Sequence, residues 1–409
     1  KTLRPAGGYL TTSPAELIFG LGDADGVDRV TVTWPNGAVQ EVGPLAAGIR
    51  HVIHEDGKPA IPAAETAPLF HMPEAIKGVA HKEQFFDDFA KQPLLPHKLS
   101  QLGRATSWGD IDGDGDPDLY QGSGRGTAGG LFKNEGKGNL SQISCPDLDA
   151  DGSYEDAASA LFDADGDGDL DLYVASGSYE NDLGSAALQD RLYRNDGAGN
   201  FSRATALPEL RNVGSCVSPS DVDGDGDLDL FVGSRVIPGQ YPLPATSRLL
   251  INESNDGQLK FTEREGVFAE VGMITDAVWA DLDGDGDDDL LLTQEWGPIL
   301  IFKNDGEVLK NESTPDSPSG WWTRIKKADI DGDGDLDFAV GNFGLNTKYH
   351  ANKEHPALIY YGDLLKTGSP RIVEAEFENE TLFPIRGKSC STAAMPQLAK
   401  RFESYHSFA

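Results

Sequence analysis

The hydrophobic positions of this chain fall in short runs at strand period. Segments such as LDLYVAS (170–176) and LDLFVGS (228–234) are aliphatic and aromatic and end in small residues, which reads as buried strand. A second pattern recurs in LFKNEGKGNL (131–140), LYRNDGAGNF (192–201), LLINESNDGQLKF (249–261) and IFKNDGEVL (301–309). Each reads strand, tight turn, strand, because Asn, Asp and Gly accept the left-handed backbone of a two-residue turn.

An aspartate loop precedes each buried run. It appears as DIDGDGDPDL (110–119), DADGDGDLDL (163–172), DVDGDGDLDL (221–230), DLDGDGDDDL (281–290) and DIDGDGDLDF (329–338). The starts lie 53, 58, 60 and 48 residues apart, the period of a four-stranded propeller blade. Two strands joined by the acidic loop plus the two of the hairpin make four antiparallel strands. The predicted fold is therefore all-β, a β-propeller of four-stranded blades with about 6–7 blades when complete.

Carboxylates at loop positions 1, 3, 5 and 9 make a cage of hard oxygens that suits Ca²⁺. The predicted side-chain ligands are Asp110, Asp112, Asp114 and Asp118; Asp163, Asp165, Asp167 and Asp171; Asp221, Asp223, Asp225 and Asp229; Asp281, Asp283, Asp285 and Asp289; Asp329, Asp331, Asp333 and Asp337. The carbonyls of Asp116, Asp169, Asp227, Asp287 and Asp335 add a ligand at position 7. An EF-hand would need a glutamate at position 12 and helical flanks. Position 12 holds Gln121, Val174, Val232, Leu292 and Val340, which excludes it. About five structural Ca²⁺ ions are expected, each pinning a turn between two strands.

Charge changes the picture only through these loops. The chain has 34 basic and 67 acidic residues and a formal charge of −33; 26 of the acids lie in the five loops. Five Ca²⁺ ions would leave about −23. Basic patches for nucleic acid are lacking, and no apolar run is long enough for a membrane helix. Loops of this affinity work where Ca²⁺ is abundant, so a secreted, periplasmic or cell-surface location is expected. The cysteines are Cys145, Cys216 and Cys390; the sequence leaves open whether Cys216 pairs with Cys390.

Residues 1–56 alternate at strand period around Pro35-Asn36-Gly37 and read as a small β-domain. Residues 57–90 begin Pro/Ala-rich and read as a linker or docking segment, and 91–409 as the propeller. YYGDLLKTGSP (360–370) reads as a sixth loop that has lost its acids. The tail 377–409 does not read as a full blade, so an incomplete C-terminus is expected.

The loops and blades resemble FG-GAP/VCBS repeats, the repeat of integrin α-subunit propellers. GYLTTSPAELIFGLGDADGVDRVTVTWPNGAVQEV (8–42) resembles the ASPIC/UnbV domain of cartilage acidic protein-like secreted proteins, here without its first strands. Stretches such as LLPHKLSQLG (94–103), VIPGQYPLP (236–244), SGWWTRI (319–325) and GNFGLNTKY (341–349) resemble large bacterial members that alternate the two modules. The resemblance implies calcium loops, an extracellular setting and membership of a larger chain or complex. It leaves the ligand open.

Strands of roughly 5–6 residues span about 17–20 Å, so positions some seven before and after each loop share the opposite rim. That rim gathers Arg235, Tyr241, Asp276, Glu295, Trp296, Trp321, Trp322 and Asn346, where a protein or glycan partner is expected. Glu155, Ser215, Thr275 and Asn342 join it, while His97-Lys98 reads as ordinary loop chemistry. Packing between blades explains the aromatics equally, and an inter-blade ion pair would explain Arg235 and Glu295. Three functions follow: recognition or assembly at the rim, a purely architectural spacer, or a carbohydrate-active enzyme using carboxylates such as Asp276 and Glu295.

Overall fold

The computed structural model describes residues 19–56 without 23 and 35–37, and 81–408 without 103–104, 137, 256, 307, 315–316, 345–346, 367 and 405. The chain divides into two compact units, Lys1–Pro73 and Glu74–Ala409. Residues 57–80 of the expected linker lie outside the described residues, as do Asn346 and the Pro35-Asn36-Gly37 turn.

In the first unit β1 (Gly26–Val27) pairs with β4 (Leu45–Ala46), and β2 (Val30–Thr33) with β3 (Val39–Val42). Burial alternates along β2 and β3, as period-2 patterning requires. Thr33 faces Val39, and Trp34 N donates to Ala38 O at 2.8 Å, so the flanks pair as a hairpin.

The second unit opens with a short helix, α1 (Asp88–Lys91). Four antiparallel four-stranded sheets follow. The first holds β5 (Thr106–Gly109), β6 (Asp118–Gln121), β7 (Gly130–Asn134) and β8 (Leu140–Ile143), and helix α2 (Pro146–Asp149) leads out of it. The second holds β9 (Asp156–Phe162), β10 (Asp171–Ser176), β11 (Arg191–Arg194) and β12 (Ser202–Ala204). The third holds β13 (Gly214–Ser220), β14 (Asp229–Ser234), β15 (Arg248–Asn252) and β16 (Phe261–Glu263). The fourth holds β17 (Met273–Ala280), β18 (Asp289–Pro298), β19 (Leu300–Lys303) and β20 (Lys310–Asn311).

Every aspartate loop joins the first strand of a sheet to the second. The innermost strands β5, β9, β13 and β17 lie side by side in chain order, the arrangement of a β-propeller. The second and third sheets are thereby sandwiched between neighbours. This is why β10 and β14 are buried at all six positions and why their sequences are continuous apolar runs rather than alternating ones. Side chains of adjacent sheets fill the interfaces, as where Phe268 packs edge-on against Phe231 and Phe302 at 5.0 and 4.9 Å between centroids.

The fifth loop differs. It joins β21 (Ser319–Ala328) to β22 (Asp337–Asn342), and among the described residues this pair has no third and fourth strand. It is instead tied to the fourth sheet: β18 runs past the length of its neighbours, bulges at Trp296, and pairs Glu295 with Trp321. The sixth, acid-poor loop joins β23 (Leu358–Gly362) to β24 (Arg371–Glu378), and β25 (Thr381–Pro384) completes a three-stranded sheet before helices α3 (Lys388–Ala394) and α4 (Leu398–Arg401). Ile372 of β24 is packed in one apolar cluster with Leu95, Leu99, Tyr179, Val236 and Tyr241. Thus the 88–102 strap and the last sheet pack on the ends of the propeller strands.

That strap is held by buried polar groups. Asp88 is fully buried and accepts from Leu99 N, Ser100 N and Ser100 Oγ at 2.7–2.8 Å. Gln92 Nε2 donates to Tyr241 O at 2.6 Å, and Arg386 donates to Leu95 O at 2.6 Å. All three cysteines are free thiols: Cys145 and Cys216 are buried, and Cys390 is exposed. Cys216 sits in the core cluster between the third and fourth sheets, where burial pushes its thiol up to about 12. The Cys216–Cys390 pairing left open by the sequence is not made.

Candidate functional site

The aspartate loops share one internal geometry. The position-1 carboxylate caps the turn: Asp110 accepts from Gly113 N at 2.8 Å and Gly115 N at 2.9 Å, and Asp163 from Gly166 N and Gly168 N at the same distances. Glycines at positions 4 and 6 have φ between 74° and 99° in all five loops, a left-handed backbone that side-chain-bearing residues avoid. The position-9 carboxylate binds its own loop through position 2, as Asp229 does with Val222 N at 3.0 Å. Its other oxygen accepts from the end of the third strand, at Asn252 N (2.7 Å).

The clusters that could hold a metal ion are Asp110, Asp112 and Asp118; Asp163, Asp165 and Asp171; Asp221, Asp223 and Asp225; Asp281, Asp283 and Asp285; and Asp329, Asp331 and Asp333. Within each, one carboxylate oxygen per residue lies within 4.8 Å of the others. Position 3 is the informative one. Asp112 Oδ1, Asp165 Oδ1 and Asp223 Oδ1 are buried with no hydrogen-bond partner. A buried carboxylate oxygen without a donor is costly, and all three belong to these clusters, so the residues fit a hard cation. Cations of the neighbouring strands take part of the charge: Arg194 lies 2.7 Å from Asp165, Lys133 is paired with Asp112, and Lys303 with Asp283. Burial pushes the Asp171 and Asp229 carboxyls up to about 6, against hydrogen bonds from backbone amides, and nearby loop carboxylates add to the rise.

Sequence reasoning missed a latch between sheets. The asparagine heading each hairpin serves its own turn through Oδ1, which accepts from Asp196 N, Ser254 N and Gly306 N in Asn195, Asn252 and Asn304. The amide nitrogen reaches further: Asn195 Nδ2 donates to Ile111 O (2.8 Å), Asn252 Nδ2 to Ala164 O (3.0 Å) and Asn304 Nδ2 to Val222 O (2.9 Å). Each acceptor is position 2 of the preceding sheet's aspartate loop. These position-2 residues are buried, whereas Leu282 and Ile330 of the last two loops are 38% and 65% exposed, with no such strand over them among the described residues. The visible signal was the recurrence of Asn at one place in every hairpin.

The opposite end carries a cavity of about 770 Å³. Its walls come from strand starts (Glu155, Gly214, Ser215, Thr275, Trp321, Arg324), from the end of β14 (Arg235), from the strap (His97, Lys98, Leu99) and from Phe343, Lys348 and Tyr349 beyond β22. Of the expected rim residues, Arg235 and Trp321 line it. Tyr241, Asp276 and Glu295 are at most 5% exposed and stand behind the wall. Arg235 Nε donates to Glu295 Oε1 (2.8 Å), Tyr241 OH to Glu295 Oε2 (2.9 Å) and Trp296 Nε1 to Tyr241 OH (2.6 Å). Trp296 adopts φ 56° to make this bond, a strained backbone for a bulky residue. Trp322 Nε1 donates to Pro318 O at 3.3 Å and does not line the cavity.

Electrostatics decide what these groups can do. Burial works to raise the Glu295 carboxyl, but Arg235, His97 and the hydrogen bonds outweigh it and hold it below the ordinary range. Asp276 Oδ2 accepts from Ile325 N at 3.1 Å, and its Oδ1 faces Arg324 at 3.7 Å. The acid–base pair considered from sequence is therefore two carboxylates already engaged, one of them held ionised. His97, read from sequence as ordinary loop, lies 4.9 Å from the Trp321 ring and 3.8 Å from Glu295. Burial pushes its pKa down against the pull of Glu295. Both its ring nitrogens and Trp321 Nε1 are buried without a hydrogen-bond partner.

Comparison with known proteins agrees with the loops. The family model described as FG-GAP-like repeat matches residues 110–174, 163–232 and 281–340, and that described as ASPIC and UnbV matches residues 1–60. No curated protein matches the chain. Solved structures that it resembles include an Agrocybe aegerita lectin described as recognising non-reducing terminal N-acetylglucosamine, at 20% identity and TM-score 0.33 over 68% of this chain and 62% of that one. The V. cholerae biofilm matrix protein Bap1 shares 16% identity at TM-score 0.32, over 67% and 37%. Bacillus licheniformis rhamnogalacturonan lyase PL11 shares 13% at TM-score 0.34, over 68% and 55%. The chain thus spans less than two thirds of the length of each, and likeness at this level carries no argument about ligand. With its repeats, its four-stranded sheets and its N-terminal segment together, the chain carries three FG-GAP-like repeats on a β-propeller fold, with an ASPIC and UnbV match at its N-terminus.

Proposed function

We propose that this chain is a calcium-stabilised extracellular recognition module, and that its ligand, a glycan or a protein, enters the cavity at the end opposite the aspartate loops. One observation carries this reading. A cavity of about 770 Å³ is walled by aromatic rings and holds buried, unpartnered nitrogens of His97 and Trp321. Buried donors without acceptors are costly, and a ligand with hydroxyl or carbonyl groups would satisfy them. In this reading residues 1–56 are a partial ASPIC/UnbV domain, 57–90 a linker or docking segment and 91–409 the propeller within a larger assembly.

Calcium in the five loops is structural in this proposal. The ligands are the carboxylates at positions 1, 3, 5 and 9 and the position-7 carbonyl, and the orphaned oxygens of Asp112, Asp165 and Asp223 support it. A Ca²⁺ requirement of this kind fits secretion or the cell surface.

A second reading has its own support. Tyr241, Asp276 and Glu295 are buried, and the strap reaches Tyr241 and Glu295 through Gln92 and His97, as an architectural spacer would need. Titration of the chain with a glycan panel, read by tryptophan fluorescence, separates the two. Binding that Trp321→Ala abolishes supports recognition. No response from any glycan, together with no partner captured through this end by cross-linking, would favour the spacer.

A further inference from the structure

Charge in the cavity runs against the rest of the chain. The protein has 34 basic and 67 acidic residues, yet apart from its tyrosines the ionisable lining comprises Lys98, Arg235, Arg324, Lys348, Glu155 and His97. Arg235 is spent on buried Glu295. Arg324 and Lys348 are held more loosely, in ion pairs without a hydrogen bond, and Lys348 also lies 5.1 Å over the Tyr349 ring. Their nearest carboxylates, Asp276 and Glu374, stand at 3.7 and 3.6 Å, too far for a hydrogen bond. Their side chains are 61% and 42% exposed, and neither donates a side-chain hydrogen bond among the described residues. Glu374 is already served by Tyr349 OH and Arg386. Two cations with free donors therefore share a cavity with the rings of Trp321, Phe343 and Tyr349. Aromatic faces suit the apolar face of a sugar ring, and free guanidinium and ammonium donors suit a carboxylate.

We infer that the cavity takes an acidic saccharide, a uronate-type sugar whose ring lies against Trp321 and whose carboxylate meets Arg324 and Lys348. The inference rests on the reading of the cavity as a recognition site and narrows it to one ligand chemistry. The anion is selected inside an otherwise strongly acidic protein, so selection is local. Long-range repulsion slows association at low salt, while the contact itself stays favourable at short range.

The test is calorimetric titration of the full chain, at fixed free Ca²⁺, with tetragalacturonate and with its fully methyl-esterified form, which keeps the backbone and removes the charge. The acid should bind at least about tenfold more tightly than the ester, a difference of about 1.4 kcal/mol. Arg324→Ala should weaken the acid about tenfold and leave the ester unchanged. Lys348→Gln is the second variant, and unchanged melting temperatures show that both fold. Equal binding of acid and ester overturns the acidic selection while leaving saccharide recognition intact. Tetraglutamate competing as well as tetragalacturonate overturns the saccharide part. Absence of binding by either sugar, with Trp321→Ala indistinguishable from the parent chain across the glycan panel, defeats the recognition reading as well.

Discussion

Replacement of Asn252 by alanine tests whether hairpin asparagines hold the propeller together. The side chain is 3% exposed. Its Nδ2 donates to Ala164 O at 3.0 Å and to Leu228 O at 3.2 Å, and its Oδ1 accepts from Ser254 N at 3.0 Å. Ala164 is fully buried in the loop of the preceding sheet, so its carbonyl cannot turn to water. One stranded acceptor costs about 1–3 kcal/mol, and each lost hydrogen bond about 0.5–1.5 kcal/mol. The expected loss is about 3 kcal/mol. The matching control is Asn134→Ala. Asn134 Nδ2 reaches Pro117 O of its own sheet at 3.0 Å and bridges to no preceding one, so its loss should cost about 1 kcal/mol. Urea unfolding in saturating Ca²⁺, followed by tryptophan fluorescence, reads both midpoints on one scale. Equal losses for the two variants, or a loss below about 1 kcal/mol for Asn252→Ala, would refute the latch.

Four further outcomes are expected. Asp223→Ala should lower the melting temperature in Ca²⁺ but change it little in chelator. A site held at 100 times its dissociation constant contributes about 2.7 kcal/mol, and equal melting of the parent chain with and without chelator would contradict structural calcium. Asp190 is buried, accepts from Tyr173 OH at 2.7 Å and Ser176 N at 2.8 Å, and has its carboxyl pushed up to about 7 by burial. A raised carboxyl stabilises most below its unfolded value near 3.8 and loses that contribution as pH rises through about 7. Asp190→Asn should therefore flatten the stability profile between those pH values, by up to about 4 kcal/mol, and an unchanged slope would count against the assignment. Glu295→Gln should destabilise by about 2–4 kcal/mol, since Arg235 is left largely buried opposite a neutral amide; a melting curve superimposable on the parent's would contradict this. A native-state thiol titration should label Cys390 rapidly and leave buried Cys145 and Cys216 until the protein unfolds.

Local chemistry made much of this protein legible from its chain. Glycines that need positive φ, aspartates at alternate positions and an apolar run behind them specify a turn between strands wherever they occur. Five copies at blade spacing then imply stacked sheets, because a four-stranded sheet buries its faces only against others. Hairpins with Asn-Asp-Gly turns are equally local. Strand length also places Arg235 and Trp321 at the end opposite the loops, where both line the cavity.

Tertiary structure decided which side chains face one another. Nothing near Asn252 in the chain indicates Ala164, 88 residues away, as its acceptor. Tyr241, Asp276 and Glu295 sit at the expected end, yet their own partners turn them inward. The strap brings His97 and Lys98 to the cavity because Asp88 and Gln92 find their hydrogen bonds there. Sequence period fixes the direction of a side chain along its own strand. Whether that direction meets solvent, a ligand or a buried carbonyl depends on segments far along the chain, and only packing brings these together.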